Sequence, residues 1–81
     1  MDQEEVKSKL KAFFMSDLGV DGDVLQYDTE LFGEEIGLDS VDSLEIISFV
    51  DSNFNVSMTG VGKEHFQSIN TIAAYIEAHK A

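Results

Sequence analysis

The sequence predicts an all-α fold of three main helices, with a long loop between the first and the second. Three observations carry this. Apolar residues recur at helical spacing in three separate segments, residues 6–14, 44–54 and 69–76. Residues suited to capping, Asp39 and Ser68, stand just before the second and last of these. In the first segment acids lead and lysines follow, the order that the helix dipole prefers. The 81 residues suffice for one domain, residues 1–81, with a small core, and are too few for a typical enzyme pocket with its scaffold, so no catalytic activity is expected.

The first helix is read from Val6, Leu10, Phe13 and Phe14. Residues 16–39 are rich in Gly and Asp, with Leu18, Val20, Leu25, Leu31, Phe32 and Ile36 as scattered anchors, which predicts a long loop pinned to the core. Loops of this length tend to be functional. The second helix is read over about residues 40–54, where steps of 100° place Leu44, Ile47, Val50 and Phe54 on a core-facing arc. Asp42, Glu45, Ser48 and Ser52 take the opposite side, and Phe49 falls between Asp42 and Glu45. Two readings of Phe49 stand: an apolar contact for a partner, flanked by carboxylates that pair with its Arg or Lys, or a ring covered by the third helix or the loop.

Residues 56–66 contain Gly60 and Gly62, each costing a helix roughly 1 kcal/mol relative to alanine. Any helix there is expected to be short, late or mobile. Ser68 caps the last helix, which carries Ile69, Ile72 and Ile76 with Tyr75 beside them, and His79 and Lys80 suit its C-terminal end. His65 and His79 have no carboxylate or serine partner at a recognisable spacing and are read as exposed.

Charge narrows the function. Five Lys and Arg face 16 Asp and Glu, a net charge of −11, and residues 12–62 hold no basic residue at all. Lys7, Lys9 and Lys11 cluster in the first helix. Such a surface repels nucleic acid and anionic membranes and attracts partners with basic patches, raising association rates more than affinity. With no cysteine there is no disulfide framework or thiolate metal site. The start Met1-Asp2-Gln3-Glu4-Glu5 is acidic and lacks an apolar core, so no signal peptide is expected. No stretch is long enough to span a bilayer, and a cytoplasmic location follows as the expectation. A hydrolase is excluded by the lack of a Gly-x-Ser-x-Gly elbow or a histidine placed beside Ser40.

The run Ile36-Gly37-Leu38-Asp39-Ser40-Val41-Asp42-Ser43-Leu44-Glu45 sets a serine where an acidic loop becomes an amphipathic helix. Asp39 is a strong N-cap, and the Ser40 hydroxyl then lies at the positive end of the helix. A phosphate ester there would gain from the dipole and the unpaired N–H groups. A plain helix cap is the other reading.

With Gly37, Asp39, Ser40, Val41, Asp42, Leu44 and Glu45 in place, the sequence resembles the acyl carrier proteins, whose signature is an Asp-Ser-hydrophobe run with Gly before it and an acidic helix after it. The resemblance covers essentially the whole chain, through the final Ser-Ile-Asn-Thr-Ile-Ala-Ala-Tyr-Ile helix. It implies a four-helix bundle in which the third helix is short and weak. It also implies that Ser40 carries a covalent 4′-phosphopantetheine arm derived from coenzyme A, with Asp39 recognised by the phosphopantetheinyl transferase (holo-acyl-carrier synthase). The arm's thiol holds acyl groups for acyltransferases, ketosynthases or acyl-activating ligases with basic patches. Val41, Asp42, Glu45, Ser48 and Phe49 become the partner face, and Leu44, Ile47, Phe54, Met58, Val61 and Phe66 the acyl pocket. Shuttling between active sites favours a monomer.

Some residues depart from the common fatty-acid carriers. Ser48 stands where a hydrophobe is usual, Phe49 where a small residue is usual, and Lys63 where acids are usual. Asp28-Thr29-Glu30-Leu31-Phe32 also resembles peptidyl and D-alanyl carriers. A dedicated acyl or polyketide-like pathway is therefore preferred over general fatty-acid synthesis. Two other classes stay open. Asp17, Asp21, Gly22, Asp23 and Asp28 fit part of a calcium-binding EF-hand loop, although Gly19 lacks a ligand and Asp28 replaces the bidentate Glu. A small acidic interaction domain would use Asp42, Glu45 and Phe49 with Ser40 unmodified.

Overall fold

The apolar stripe of the first segment forms helix α1, Gln3–Ser16, and Val6, Leu10, Phe13 and Phe14 are all buried. The computed structural model describes residues 3–34 and 36–79. The readings made at Met1, Asp2 and Lys80 fall outside these. After α1 come α2, Ser40–Phe54, a single 3₁₀ turn, Lys63–Phe66, and α3, Ile69–His79. The expected weak third helix is this one turn, which begins immediately after the second of the two glycines. α1 and α3 pack together, and the 3₁₀ turn lies on α3.

The C-terminal end of α1 and the N-terminal end of α3 each have a local cause. Beyond α1, Val20 N–H donates to Phe14 O at 3.0 Å, closed by Gly19 at φ +70°, a conformation that a side chain resists. Ser68 caps α3 reciprocally with Thr71: Thr71 N–H donates to Ser68 Oγ at 3.2 Å, and Ser68 N–H to Thr71 Oγ1 at 3.0 Å. Ile69, Ile72 and Ile76 are buried as their spacing predicts. The histidines are less solitary than expected. His79 stacks on Tyr75 at 3.9 Å and its Nδ1 donates to the Tyr75 carbonyl at 2.9 Å, while His65 meets the same ring edge-on at 5.2 Å.

The long loop is pinned as predicted by Leu25 and Leu31, both fully buried, with Leu18, Val20 and Ile36 partly so. Backbone bonds tie it to the start of α3: Asn70 N–H to Tyr27 O at 2.9 Å and Leu31 N–H to Gln67 O at 2.7 Å. Phe32 is no core anchor, because its neighbour Leu31 fills the core and leaves the ring 37% exposed.

On α2 the core arc is turned away from the expected one. Ile46 and Val50 are the buried residues, Ile47 and Phe54 are half-buried, and Leu44 is 65% exposed. On the 100° wheel the buried arc centres near Val50 and reaches back to Ile46 and Phe49, which leaves Leu44 roughly 120° away. Phe49 is mostly buried, and its ring contacts come from α1 and from α2 itself. It stacks on Phe13 of α1 with centroids 4.2 Å apart and meets Phe54 edge-on at 5.9 Å. α1 is the element whose orientation the spacing of α2 alone could not supply.

Candidate functional site

Gly37 sets the approach to α2, at φ +75° with open space around its Cα. Two residues later Asp39 caps the helix. Its Oδ1 accepts from Val41 N–H at 3.0 Å and from Asp42 N–H at 3.2 Å, and Asp42 Oδ2 accepts from Asp39 N–H at 3.0 Å. This is a complete capping box. The Asp39 cap was legible in the sequence. The reciprocal role of Asp42 was not assigned, although the signal, an acid three residues after the cap, was present. Two first-turn N–H groups are thus engaged by a carboxylate already. The helix end offers less to an added phosphate than its position suggested.

Ser40, the first residue of α2, is exposed, and its hydroxyl makes no hydrogen bond with a described residue; only its carbonyl is engaged, by Ser43 Oγ at 2.6 Å. A cleft of about 520 Å³ opens beside it, and Ser40 and Asp39 form part of the rim. Ile47, Met58, Val61 and Phe66 line this cleft as expected. Leu44 and Phe54 do not. The exposure of Leu44 and the packing of Phe54 on Phe49 take them elsewhere. Phe32 and Leu38 from the loop supply the apolar wall instead, and Ser43, Lys63, Gln67 and Glu30 add polar groups. The two loop residues escaped sequence reading because nothing local says which way a loop side chain faces.

On the exposed side of α2, Val41 and Leu44 are each 65% exposed, beside exposed Glu45 and Ser48, with half-buried Asp42 at the edge. Phe49 lies apart from them, against α1. In the loop, Asp21 Oδ1 accepts from Asp23 N–H at 2.9 Å, an Asx turn, and no three metal-ligating side chains converge among the described residues. No helix among the described residues is long and apolar enough to cross a membrane.

An exposed, unbonded serine hydroxyl beside an apolar cleft fits a tethered prosthetic group: the oxygen is accessible for ester formation, and the cleft can shelter an apolar chain. Residues 8–76 match the family model described as "Phosphopantetheine attachment site". The chain is similar to the acyl carrier proteins of Akkermansia muciniphila, 30% identical over 77 residues that cover 95% of both chains, and of Phytoplasma australiense, 32% identical over 76 residues, 94% of this chain and 99% of that one. That of Thermotoga maritima is 29% identical over 75 residues, 93% and 91% of the two chains. The chain belongs to the acyl carrier protein family, whose members are carriers that hold 4′-phosphopantetheine covalently.

Proposed function

We propose that this protein carries acyl groups as thioesters on a 4′-phosphopantetheine arm joined to Ser40 Oγ and presents them to successive enzymes. The observation that carries this is the exposed Ser40 hydroxyl, unbonded and set at the lip of an apolar cleft. When bound, the arm supplies a thiol that holds the acyl group in activated form. The chain's own residues do the rest. The Asp39–Asp42 capping box fixes the first turn of α2 and so the place of Ser40, and Asp39 is also the transferase's recognition point. Ile47, Met58, Val61 and Phe66, with Phe32 and Leu38, form the wall against which an acyl chain withdraws from water.

Partners are a phosphopantetheinyl transferase and acyltransferases, ketosynthases or acyl-activating ligases whose basic patches meet Asp42 and Glu45. Val41, Leu44 and Ser48 supply the contact between those charges, with Leu44 in the part first given to Phe49. Small, charged contacts of this kind are weak and salt-sensitive, as exchange among several enzymes requires. Ser48 on this face and Lys63 in the cleft favour a dedicated acyl or polyketide-like pathway over general fatty-acid synthesis.

The test is intact mass after incubation with coenzyme A and a broad-specificity phosphopantetheinyl transferase. Gain of one phosphopantetheine by the parent chain and none by Ser40→Ala is the expected result. No gain by the folded parent would leave an unmodified acidic interaction domain.

A further inference from the structure

Loading Ser40 places a phosphodiester anion beside Asp39 and Asp42, and the inference below rests on that reading of Ser40. A helix N-terminus ordinarily stabilises such an anion through its unpaired N–H groups. Here Val41 N–H and Asp42 N–H are already held by Asp39 Oδ1, and Asp39 N–H by Asp42 Oδ2. The carboxylates that hold them repel a second anion, and Glu30 adds another acid to the cleft wall. Of the first-turn donors this leaves the Ser40 N–H, and a cation from another element is the further means of neutralising the incoming charge.

Among the described residues that line the cleft there is one cation, Lys63. It pairs with no described carboxylate, in a chain where 16 acids face 5 bases. Its side chain is exposed, and a lysine stem is long and flexible enough to follow a tethered group. Its backbone opens the 3₁₀ turn directly after Gly62, and Gly60 two residues earlier takes φ +78°; the far end of the turn is fixed by buried Phe66 and by Thr71 Oγ1 donating to His65 O at 3.1 Å, which leaves the start at Lys63 as its exposed end. We propose that Lys63 is the counter-ion of the arm's phosphodiester in the loaded chain, and that this pair holds the Lys63–Phe66 turn onto the mouth of the cleft. Loading thereby orders the element that closes the acyl site.

The experiment compares unloaded and loaded parent, Lys63→Met and Lys63→Arg chains at low salt, with loading verified by intact mass. In the loaded parent the ³¹P resonance of the arm moves with added salt, and in loaded Lys63→Met it does not. The His65 amide, which donates to Gly62 O at 3.1 Å, exchanges about two- to fivefold more slowly on loading, the size expected of an exposed ion pair. Lys63→Met loses this slowing and Lys63→Arg keeps it. Absence of a mass gain overturns the Ser40 reading and this one with it. Full loading of the parent with an unchanged His65 rate, or the same slowing in Lys63→Met, overturns this one alone. Slowing that appears only when the arm bears a carboxylate-ended acyl group such as succinyl assigns Lys63 to cargo and also overturns it.

Discussion

Truncating Phe49 to alanine separates the two roles that its place on α2 allowed. In the structure its ring stacks on Phe13 at 4.2 Å with planes 18° apart and meets Phe54 edge-on at 5.9 Å. Removing a fully buried phenylalanine costs about 3–5 kcal/mol. Phe49 is mostly buried, which keeps the transfer and cavity loss at about two-thirds or more of that, with some of the roughly 0.5–1.5 kcal/mol of ring pairing included. The expected destabilisation is about 3 kcal/mol, and at roughly 4–8 °C per kcal/mol for a domain of this size the midpoint falls by about 12–24 °C. Thermal and urea denaturation followed by far-UV circular dichroism measure this. Phe49→Leu, which keeps apolar volume and loses the stacking, should fall between parent and alanine variant. A Phe49→Ala chain that melts within about 2 °C of the parent, yet exchanges acyl groups with its enzymes poorly, would refute the packing argument and return the ring to the partner face.

Leu44→Ala is expected to do the reverse: stability within about 0.5 kcal/mol of the parent, because the side chain is already 65% exposed, and a raised KM of partner enzymes for the loaded chain. A large stability loss would return Leu44 to the core. Asp39→Ala removes two accepted hydrogen bonds and should cost about 1 kcal/mol, whereas Asp39→Asn keeps an acceptor oxygen and should cost less. Equal urea midpoints for the two variants would mean that charge, not the cap bond, sets the stability. Raising salt from about 10 to 150 mM shortens the screening length from about 30 to 8 Å and should raise the melting temperature, because a chain of net charge −11 repels itself. A falling melting temperature would show that attractive pairs outweigh that repulsion.

Legibility in the sequence followed the range of the interaction. α1 and α3 were readable because each buries one stripe, and the caps at Asp39 and Ser68 were readable because their bonds span three residues or fewer. The weak third element was readable from Gly60 and Gly62, whose backbone cost is local. α2 was not fully readable, because it carries apolar residues on more than one side: Leu44, Ile46, Ile47, Phe49 and Val50 leave the choice of core face to whichever helix packs against it. The stack of Phe13 of α1 on Phe49 is one contact that enters that choice. The cleft beside Ser40 was half-readable for a related reason. Ile47 belongs to a regular element, whereas Phe32 and Leu38 belong to a loop whose course is set by backbone bonds such as Leu38 N–H to Leu31 O and, between residues distant in the chain, Leu31 N–H to Gln67 O.

The division of labour on α2 bears on how a small carrier keeps recognition and stability apart. Ile46, Phe49 and Val50 commit one side of the helix to α1 and the core, so they change only at a cost in stability. Val41, Leu44, Glu45 and Ser48 occupy the exposed side, and they can change at little cost in stability. Ser40 sits where the two sides meet, at the first turn, fixed by the Asp39–Asp42 box rather than by either face. A substitution on the exposed side therefore changes the surface beside Ser40 without moving the serine itself. That independence leaves the surface beside Ser40, Ser48 included, free to vary while the geometry of the first turn stays fixed.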